Sequence, residues 1–245
     1  MPLATHVTAP HSAPAPGSAP PPVVLLHGFA SSAVEDFLST GWDAAFAGAG
    51  RTTIAIDLPG HGASPGIDSA ADATTSAIVA AILEAVAHAG ATGEFDVVGY
   101  SLGARLAWEL PAASPSVRRL VLGGISPFEP FAAVDAAELA ATLAGAAPEH
   151  PIVGMMAGMI SAPGRDTTSL AHAISGLASE PFAPDTGGPQ VPTLCVAGSE
   201  DGMTQGIEKL VDGLPQATLA RVPGDHRGAL DSSEFRAAAL AFLAD

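Results

Sequence analysis

The chain has 245 residues, 48% of them apolar, and a mean hydropathy of +0.35, which is enough apolar material for a buried core. Nine Lys and Arg residues stand against 25 Asp and Glu residues, so the formal net charge is −16 and the isoelectric point lies near 4.6. A chain this acidic repels phosphate backbones and anionic lipid surfaces. We therefore expect neither nucleic acid nor a membrane as a partner, and the oligomeric state stays open.

Cysteine and histidine usage indicates neither a disulfide nor a metal site. Cys195 is the single cysteine and is expected to be a small apolar residue of a buried strand. The eight histidines are scattered without an HxxxH pair, and the sequence has neither a Walker loop nor a GxGxxG motif opening a dinucleotide unit. We therefore predict a protein that needs no metal and no cofactor.

The N-terminal segment is rich in proline and lacks the features of a secretion signal. Its prolines prevent a continuous helix, and it has neither a positively charged start nor an unbroken apolar core. We predict a surface loop over residues 9–22. No other stretch reaches the roughly 20 apolar residues of a membrane span, so we expect a soluble, cytoplasmic protein.

Short aliphatic runs alternate with longer alanine-rich runs of helical period along the chain. This alternation is typical of a mostly parallel sheet with helices on both faces, so the predicted fold class is α/β with about seven strands. An edge strand is expected around residues 3–8. The other six strands are predicted at 23–26, 53–57, 96–99, 120–122, 193–197 and 217–222.

The alternation of strands and helices breaks once. Helices predicted at 70–89, 102–110 and 232–244 fit the sheet pattern, but three helical runs at 130–146, 151–161 and 166–179 follow one another without a strand. A helical insertion of this kind forms a lid over the carboxyl edge of the sheet, where such sheets bind ligands. We therefore predict an α/β core of residues 1–125 and 190–245 and a helical cap of residues 126–189.

The residues Gly99-Tyr100-Ser101-Leu102-Gly103 form a GxSxG motif between a predicted strand and a predicted helix. This is the context of a nucleophile elbow, in which a sharp turn exposes a serine hydroxyl at the edge of the sheet. Only small residues fit beside so tight a turn, and two glycines meet that need. Ser101 is therefore the candidate nucleophile.

A serine nucleophile needs a base, and the base needs a carboxylate that holds its tautomer. His226 is the only histidine after the predicted cap, on a loop that is expected to follow the last strand. Asp201 follows the preceding strand and is the preferred acid. Glu200, Asp212 and Asp225 stay open as alternatives, although the adjacency of Asp225 to His226 makes a good hydrogen bond to Nδ1 awkward.

Two backbone N–H groups must also meet the oxyanion of a tetrahedral intermediate. The N–H of Leu102 lies at the start of a helix, where the helix dipole adds to its effect. The second candidate is the N–H of Phe29, which follows the first core strand. His27 is expected to shape this loop, and His61 belongs to a proline- and glycine-rich turn that we interpret as structural.

Taken together, these motifs resemble the α/β-hydrolase superfamily over nearly the whole chain from residue 23. The resemblance implies a triad of Ser101, Asp201 and His226, an oxyanion hole from the Phe29 and Leu102 amides, and a cap between the sixth and seventh strands of the family's sheet. The proline-rich start leaves no room for the family's usual opening hairpin. The motifs that carry the resemblance are residues 25–29, 57–64, 99–103, 198–201 and 224–226.

The first functional hypothesis is a carboxylic-ester hydrolase acting on a small-molecule ester through an acyl-enzyme. Soft and aromatic side chains of the cap could line an apolar substrate pocket, although the methionines could equally pack the cap against the core. The candidate pocket residues are Arg105, Phe128, Met155, Met156 and Met159, with Phe131, Phe182, Ile152 and Ile160 also considered.

Two alternatives remain. The elbow with Arg105 four residues after the serine is similar to that of the menaquinone-pathway synthase, a lyase, in which this arginine contacts an anionic substrate. Arg105 could instead form a surface salt bridge with Glu109 at i+4. The third hypothesis is a non-catalytic ligand receptor on the same fold, because a fold and an intact site do not fix turnover.

Overall fold

The structure, a computed structural model, describes residues 2–12 and 19–244, and its centre is a seven-stranded sheet. The strands lie in the order β1-β3-β2-β4-β5-β6-β7, and β1 pairs antiparallel with β3 while all other pairs are parallel. The predicted α/β class and strand number are therefore confirmed, and the edge strand exists. The strands are β1 Thr5–Thr8, β2 Val23–Leu26, β3 Thr53–Ile56, β4 Phe95–Tyr100, β5 Val117–Gly123, β6 Thr193–Gly198 and β7 Ala217–Val222.

Helices cover both faces of this sheet because alternate residues of each strand point to opposite sides. In β2, Val24 and Leu26 belong to the apolar cluster under helices α2 and α3, whereas Val23 and Leu25 belong to the cluster under α1 and α9. Strands buried on both faces have no polar side, which explains their unbroken aliphatic runs. The helices of the core are α1 Trp42–Gly48, α2 Thr75–His88, α3 Leu102–Ala113, α7 Ile207–Asp212, α8 His226–Asp231 and α9 Ser233–Leu243.

Three more helices, α4 Ala136–Leu143, α5 Pro151–Ile160 and α6 Thr167–Ser179, lie between β5 and β6. Each begins at a residue suited to a helix start. The side chains of Asp135 and Asp166 each accept a free N–H group in the first turn of α4 and α6, from Glu138 and Ser169, and Pro151 opens α5. Their apolar faces join the core cluster of α2 and α3. We keep 126–189 as the proposed bounds of this cap.

Several boundaries differ from the sequence prediction. The predicted helix at 70–89 begins only at Thr75, because residues 70–73 form a 3-10 turn and Thr74 caps the helix. The predicted helix at 130–146 shortens to α4, since a separate turn at Phe131–Ala133 precedes the cap residue Asp135. Helices α1, α7 and α8 were not predicted because they have at most seven residues, too few for a helical period to show.

In the predicted N-terminal loop, residues 13–18 lie outside the described residues. Residues 9–12 and 19–22 have neither helix nor strand, as the prolines require. Within the ranges that the structure describes, no helix combines the length and the apolar character needed to cross a membrane.

A buried carboxylate holds the end of the sheet opposite Ser101. Asp96 at the start of β4 is fully buried, and its Oδ2 lies 2.5 Å from Nη2 of Arg51 and 2.7 Å from Nη2 of Arg118. Arg51 also donates to the carbonyl oxygens of Pro21 and Leu243, so one cluster joins the N-terminal segment, the central strand and the last helix.

Asp96→Asn should lower the free energy of unfolding by about 3–5 kcal/mol, because removing one member of a buried ion pair leaves the other charge uncompensated. Urea denaturation at pH 7 measures the change, with Asp212→Asn at the exposed end of α7 as the matched control. A loss below about 1 kcal/mol, the value of a surface ion pair, would contradict the role of Asp96 as a fold anchor.

Candidate active site

Ser101 occupies a strained turn between β4 and α3. Its φ of +52° and ψ of −112° lie in a region that side-chain-bearing residues rarely adopt. The glycines of the motif allow this turn: a Cβ on Gly103 would lie 2.0 Å from the carbonyl oxygen of Leu26, and one on Gly99 would lie 2.4 Å from that of Gly103. The sequence spacing thus reflects close backbone contact at both positions.

Asp201 and His226 are brought together from two different loops. Oδ2 of Asp201, whose side chain is fully buried, lies 2.8 Å from Nδ1 of His226. Oδ1 of Asp201 accepts the N–H of Met203, which fixes the carboxylate. Because a carboxylate is an acceptor, Nδ1 carries the hydrogen and Nε2 is left to accept a proton.

The other candidate acids are engaged elsewhere or lie on the surface. The carboxylate of Asp225 accepts the N–H groups of Arg227 and Gly228 as the N-cap of α8. Glu200 and Asp212 are exposed. The prediction that His226 lies on a loop was wrong: it is the first residue of α8, because Asp225 caps a helix at that point.

The two predicted oxyanion donors lie beside Ser101. Leu102 is the first residue of α3, and Phe29 follows Gly28, where an added Cβ would lie 3.6 Å from Cβ of Ser101. In the described part of the chain neither N–H donates a hydrogen bond, and the Ser101 hydroxyl forms none either. These groups are therefore free to contact a substrate, and their roles remain predictions.

Two buried imidazoles hold the loop that carries Phe29. His27 donates from Nδ1 to the carbonyl of Gly28 and accepts the N–H of Leu58 at Nε2, at 2.7 and 2.9 Å. His61 donates from Nδ1 to the carbonyl of Pro59 and accepts the N–H of Ala30 at 3.1 Å. An imidazole that accepts must be neutral, so both serve the structure of the loop, as expected from the sequence.

An ion pair that the sequence analysis missed ties this loop to the helix of His226. Asp36 is buried; its Oδ2 accepts the N–H of Gly28 at 2.8 Å, and its Oδ1 lies 2.6 Å from Nη1 of Arg227. Arg227 directly follows His226 in α8. The two residues are 191 positions apart, and no local pattern links them.

Tyr100 also positions His226. Its hydroxyl donates to the carbonyl oxygen of His226, and the two rings lie 5.4 Å apart between centroids. Burial raises the pKa of Tyr100 above its usual value, so the phenol stays a donor. Its position directly before the serine of the elbow was the only sequence feature that could have drawn attention to it.

Ser101 and His226 open into one apolar cavity of about 270 Å³. Four of the chain's five methionines line it, together with four phenylalanines. The predicted pocket residues Phe128, Met155, Met156 and Met159 are among them, and the predicted Arg105 also lines the cavity, whereas Met203 was not anticipated. The full lining is Phe29, Ser101, Leu102, Arg105, Gly124, Ser126, Phe128, Pro130, Phe131, Met155, Met156, Met159, Phe182, Met203 and His226.

The proposed surface salt bridge between Arg105 and Glu109 was wrong. Arg105 is buried, and its Nη2 lies 2.6 Å from Oε2 of Glu129. Arg105 precedes the fully buried Leu106 and follows Leu102 by one helical turn, so it sits on the apolar side of α3. A charge in that position indicates a buried partner, but the sequence does not say which.

Comparison with known proteins gives a consistent result. A family model described as "alpha/beta hydrolase fold" matches residues 21–142. Esterase Rv0045c of Mycobacterium tuberculosis is 35% identical over 114 residues, which are 45% of this chain and 35% of that protein. The match thus spans about a third of that relative's length.

Solved structures resemble the chain over nearly its whole length. The enol-lactonase from Burkholderia xenovorans LB400 has a TM-score of 0.74 at 16% identity and covers 99% of this chain and 96% of its own. MenH from S. aureus has a TM-score of 0.73 at 20% identity and covers 98% and 97%. At these identities the likeness shows the shared fold.

The buried imidazole of His61 should make the protein sensitive to acid. Burial, with a smaller contribution from the neighbouring His27, lowers the pKa of His61 from 6.5 to about 3. Below pH 6.5 the unfolded chain therefore binds a proton that the folded chain excludes, so stability falls as pH falls. Between pH 7 and pH 5 this amounts to about 2 kcal/mol of unfolding free energy.

In His61→Gln this part of the pH dependence should disappear. Urea denaturation at pH 7 and pH 5 measures it, and His88→Gln on the surface of α2 serves as control. If His61→Gln loses as much stability on acidification as the parent protein, the neutral-imidazole interpretation fails.

Proposed function

Because this chain belongs to the α/β-hydrolase superfamily, we propose that it is a serine hydrolase that cleaves carboxylic esters. The observation that carries the proposal is the 2.8 Å hydrogen bond between Asp201 and His226 at a cavity shared with the strained Ser101. A nucleophile, a base with a fixed tautomer and two free backbone donors then lie around one apolar space.

In the proposed reaction, the Ser101 oxygen attacks the ester carbonyl carbon while Nε2 of His226 takes the hydroxyl proton. The carbonyl oxygen becomes an oxyanion that the N–H groups of Phe29 and Leu102 stabilise, each donor contributing about 3–4 kcal/mol in the best case. The carbon–oxygen bond to the alcohol breaks, and His226 returns the proton to the leaving alcohol. A water molecule, deprotonated by His226, then releases the acid and restores Ser101.

The cavity supports a small or medium uncharged substrate. Its volume of about 270 Å³ lies near the lower end of the range for ligand pockets, about 300–1,000 Å³. Phe128, Met155, Met159 and Met203 are partly exposed at this cavity, so its mouth is apolar as well. Flexible methionines adapt to varied apolar shapes, which favours tolerance for different acyl groups.

The lyase alternative has less support. It requires cationic groups for a substrate with several carboxylates, and among the described residues Arg105 is the single Lys or Arg that lines the cavity. That arginine is already paired with Glu129. The receptor alternative differs from the hydrolase by the absence of sustained turnover, which the following experiment measures.

Ser101→Ala should reduce kcat for 4-nitrophenyl butyrate by a factor on the order of 10⁴ to 10⁶ while the protein stays folded. Steady-state release of nitrophenol measures kcat, and Ser233→Ala, an exposed serine of α9, is the matched control. Undiminished turnover in Ser101→Ala would remove the mechanism. A single burst without turnover in the parent protein would favour the receptor.

Asp201→Asn should lower kcat by about 10⁴-fold, because an amide cannot stabilise the imidazolium or hold the required tautomer. The neighbouring exposed Glu200→Gln is the control and should retain activity. Equal losses in the two variants, measured with the same ester, would contradict the assignment of Asp201.

A further inference from the structure

The buried ion pair of Arg105 and Glu129 lies at the wall of the candidate active site. Arg105 stands four residues after Ser101 on α3, lines the cavity, and has its Cζ 5.9 Å from the ring centre of Phe131. Its side chain is 5% exposed and that of Glu129 is 7% exposed. Water therefore screens neither charge to a useful extent.

The carboxylate of Glu129 accepts three hydrogen bonds. Its Oε2 accepts Nε of Arg105 and the N–H of Phe182, both at 2.7 Å, and lies 2.6 Å from Nη2 of Arg105 as an ion pair. Its Oε1 accepts the N–H of Phe131 at 2.9 Å. Phe131 and Phe182 both line the cavity. Two backbone N–H groups of cavity-lining residues and one guanidinium N–H therefore hold this carboxylate in place.

The guanidinium is also fixed by groups that carry no charge. Nη1 donates to the hydroxyl of Thr75 at 3.0 Å, and Nη2 donates to the carbonyl oxygens of Leu177 and Glu180 at 3.2 and 3.0 Å. Glu109 on the same helix acts on Arg105 only through space. The position of the cation therefore rests on several partners, whereas Glu129 is the one carboxylate of the described residues that pairs directly with its charge.

We propose that Glu129 determines the specificity of this cavity by neutralising Arg105 and so excluding substrates with a carboxylate on the acyl chain. The inference rests on the proposed ester hydrolysis. A substrate carboxylate would have to share Arg105 with Glu129, which places two like charges in apolar surroundings. An uncharged acyl chain meets only apolar walls and a satisfied ion pair.

Removal of the negative charge reverses this preference. With glutamine at position 129, a buried cation without a partner faces the cavity, and an anionic ligand is the group that compensates it. The prediction concerns the ratio of two matched esters. General loosening of the pocket changes both esters together and leaves their ratio unchanged.

The test compares 4-nitrophenyl valerate with mono-4-nitrophenyl glutarate, which have five acyl carbons each and differ in a terminal carboxylate. The parent protein should prefer the valerate ester. In Glu129→Gln the ratio of kcat/KM for glutarate over valerate should rise at least about 10-fold, mainly through KM, as expected for a charge-assisted contact. The double variant Arg105→Met/Glu129→Met, without either charge, should keep the parent preference.

An unchanged ratio in folded Glu129→Gln would overturn the proposal. If this variant does not fold, the parent protein and Arg105→Met still test the proposal. If the parent prefers the glutarate ester and Arg105→Met abolishes that preference, Arg105 is free to bind substrate and the proposal is wrong. If the parent hydrolyses neither ester, the proposed function fails by itself. In that case thermal denaturation in the presence of glutarate tests the specificity proposal. Glutarate should raise the Tm of Glu129→Gln and leave that of the parent unchanged.

Discussion

The close contact between the first turn of α3 and the end of β2 is the constraint on which the rest of the site depends. No side chain fits at Gly103, since its Cβ would meet the carbonyl of Leu26. The chain must therefore turn sharply between β4 and α3, and Ser101 takes up the strain with a φ of +52°. The same contact leaves the N–H of Leu102 free at the helix start and places Gly28 against the serine.

The loop of Phe29 lies against this strained turn and is itself held by buried side chains. The loop of Phe29 is fixed by His27, His61 and Asp36, each of which hydrogen-bonds a backbone group of residues 28–30. Ala30 in that loop also has a positive φ of 52°, so the loop is strained as well. Such support matters for N–H groups that stabilise a transition state, because donors that can reorient toward water stabilise its charge less.

Buried carboxylates are paired with arginines at three places in the molecule. The buried carboxylates of Asp36, Asp96 and Glu129 each accept from arginine, and each joins segments that are distant in sequence. At one end of the sheet these contacts join the segment before β2 to the last helix, and at the other they connect the loop of Phe29 to α8. In the cavity it leaves an apolar surface with no free cation among the described lining residues. A mainly apolar lining whose one cation is already paired supports the proposal of an uncharged ester substrate.

The sequence by itself determined the parts of this protein that local spacing encodes. Strand and helix alternation follows from hydrophobic period, and the elbow follows from two glycines around Ser101 at the end of a strand. The chain order of Ser101, Asp201 and His226 follows from the strands that they succeed, because the carboxyl ends of parallel strands meet at one edge.

Only the tertiary structure decided the partners of the buried charges and the form of the short helices. Arg105 looked able to pair with Glu109 on its own helix, yet its partner is Glu129 in the segment between β5 and α4. Asp36 and Arg227 meet across 191 positions, and Asp225 converts an expected loop at His226 into a helix. The physical reason is that a burial pattern shows only which side of an element faces inward. A buried charge pairs with the nearest opposite charge in space, and the distance between the two charged groups is set only when the chain has folded.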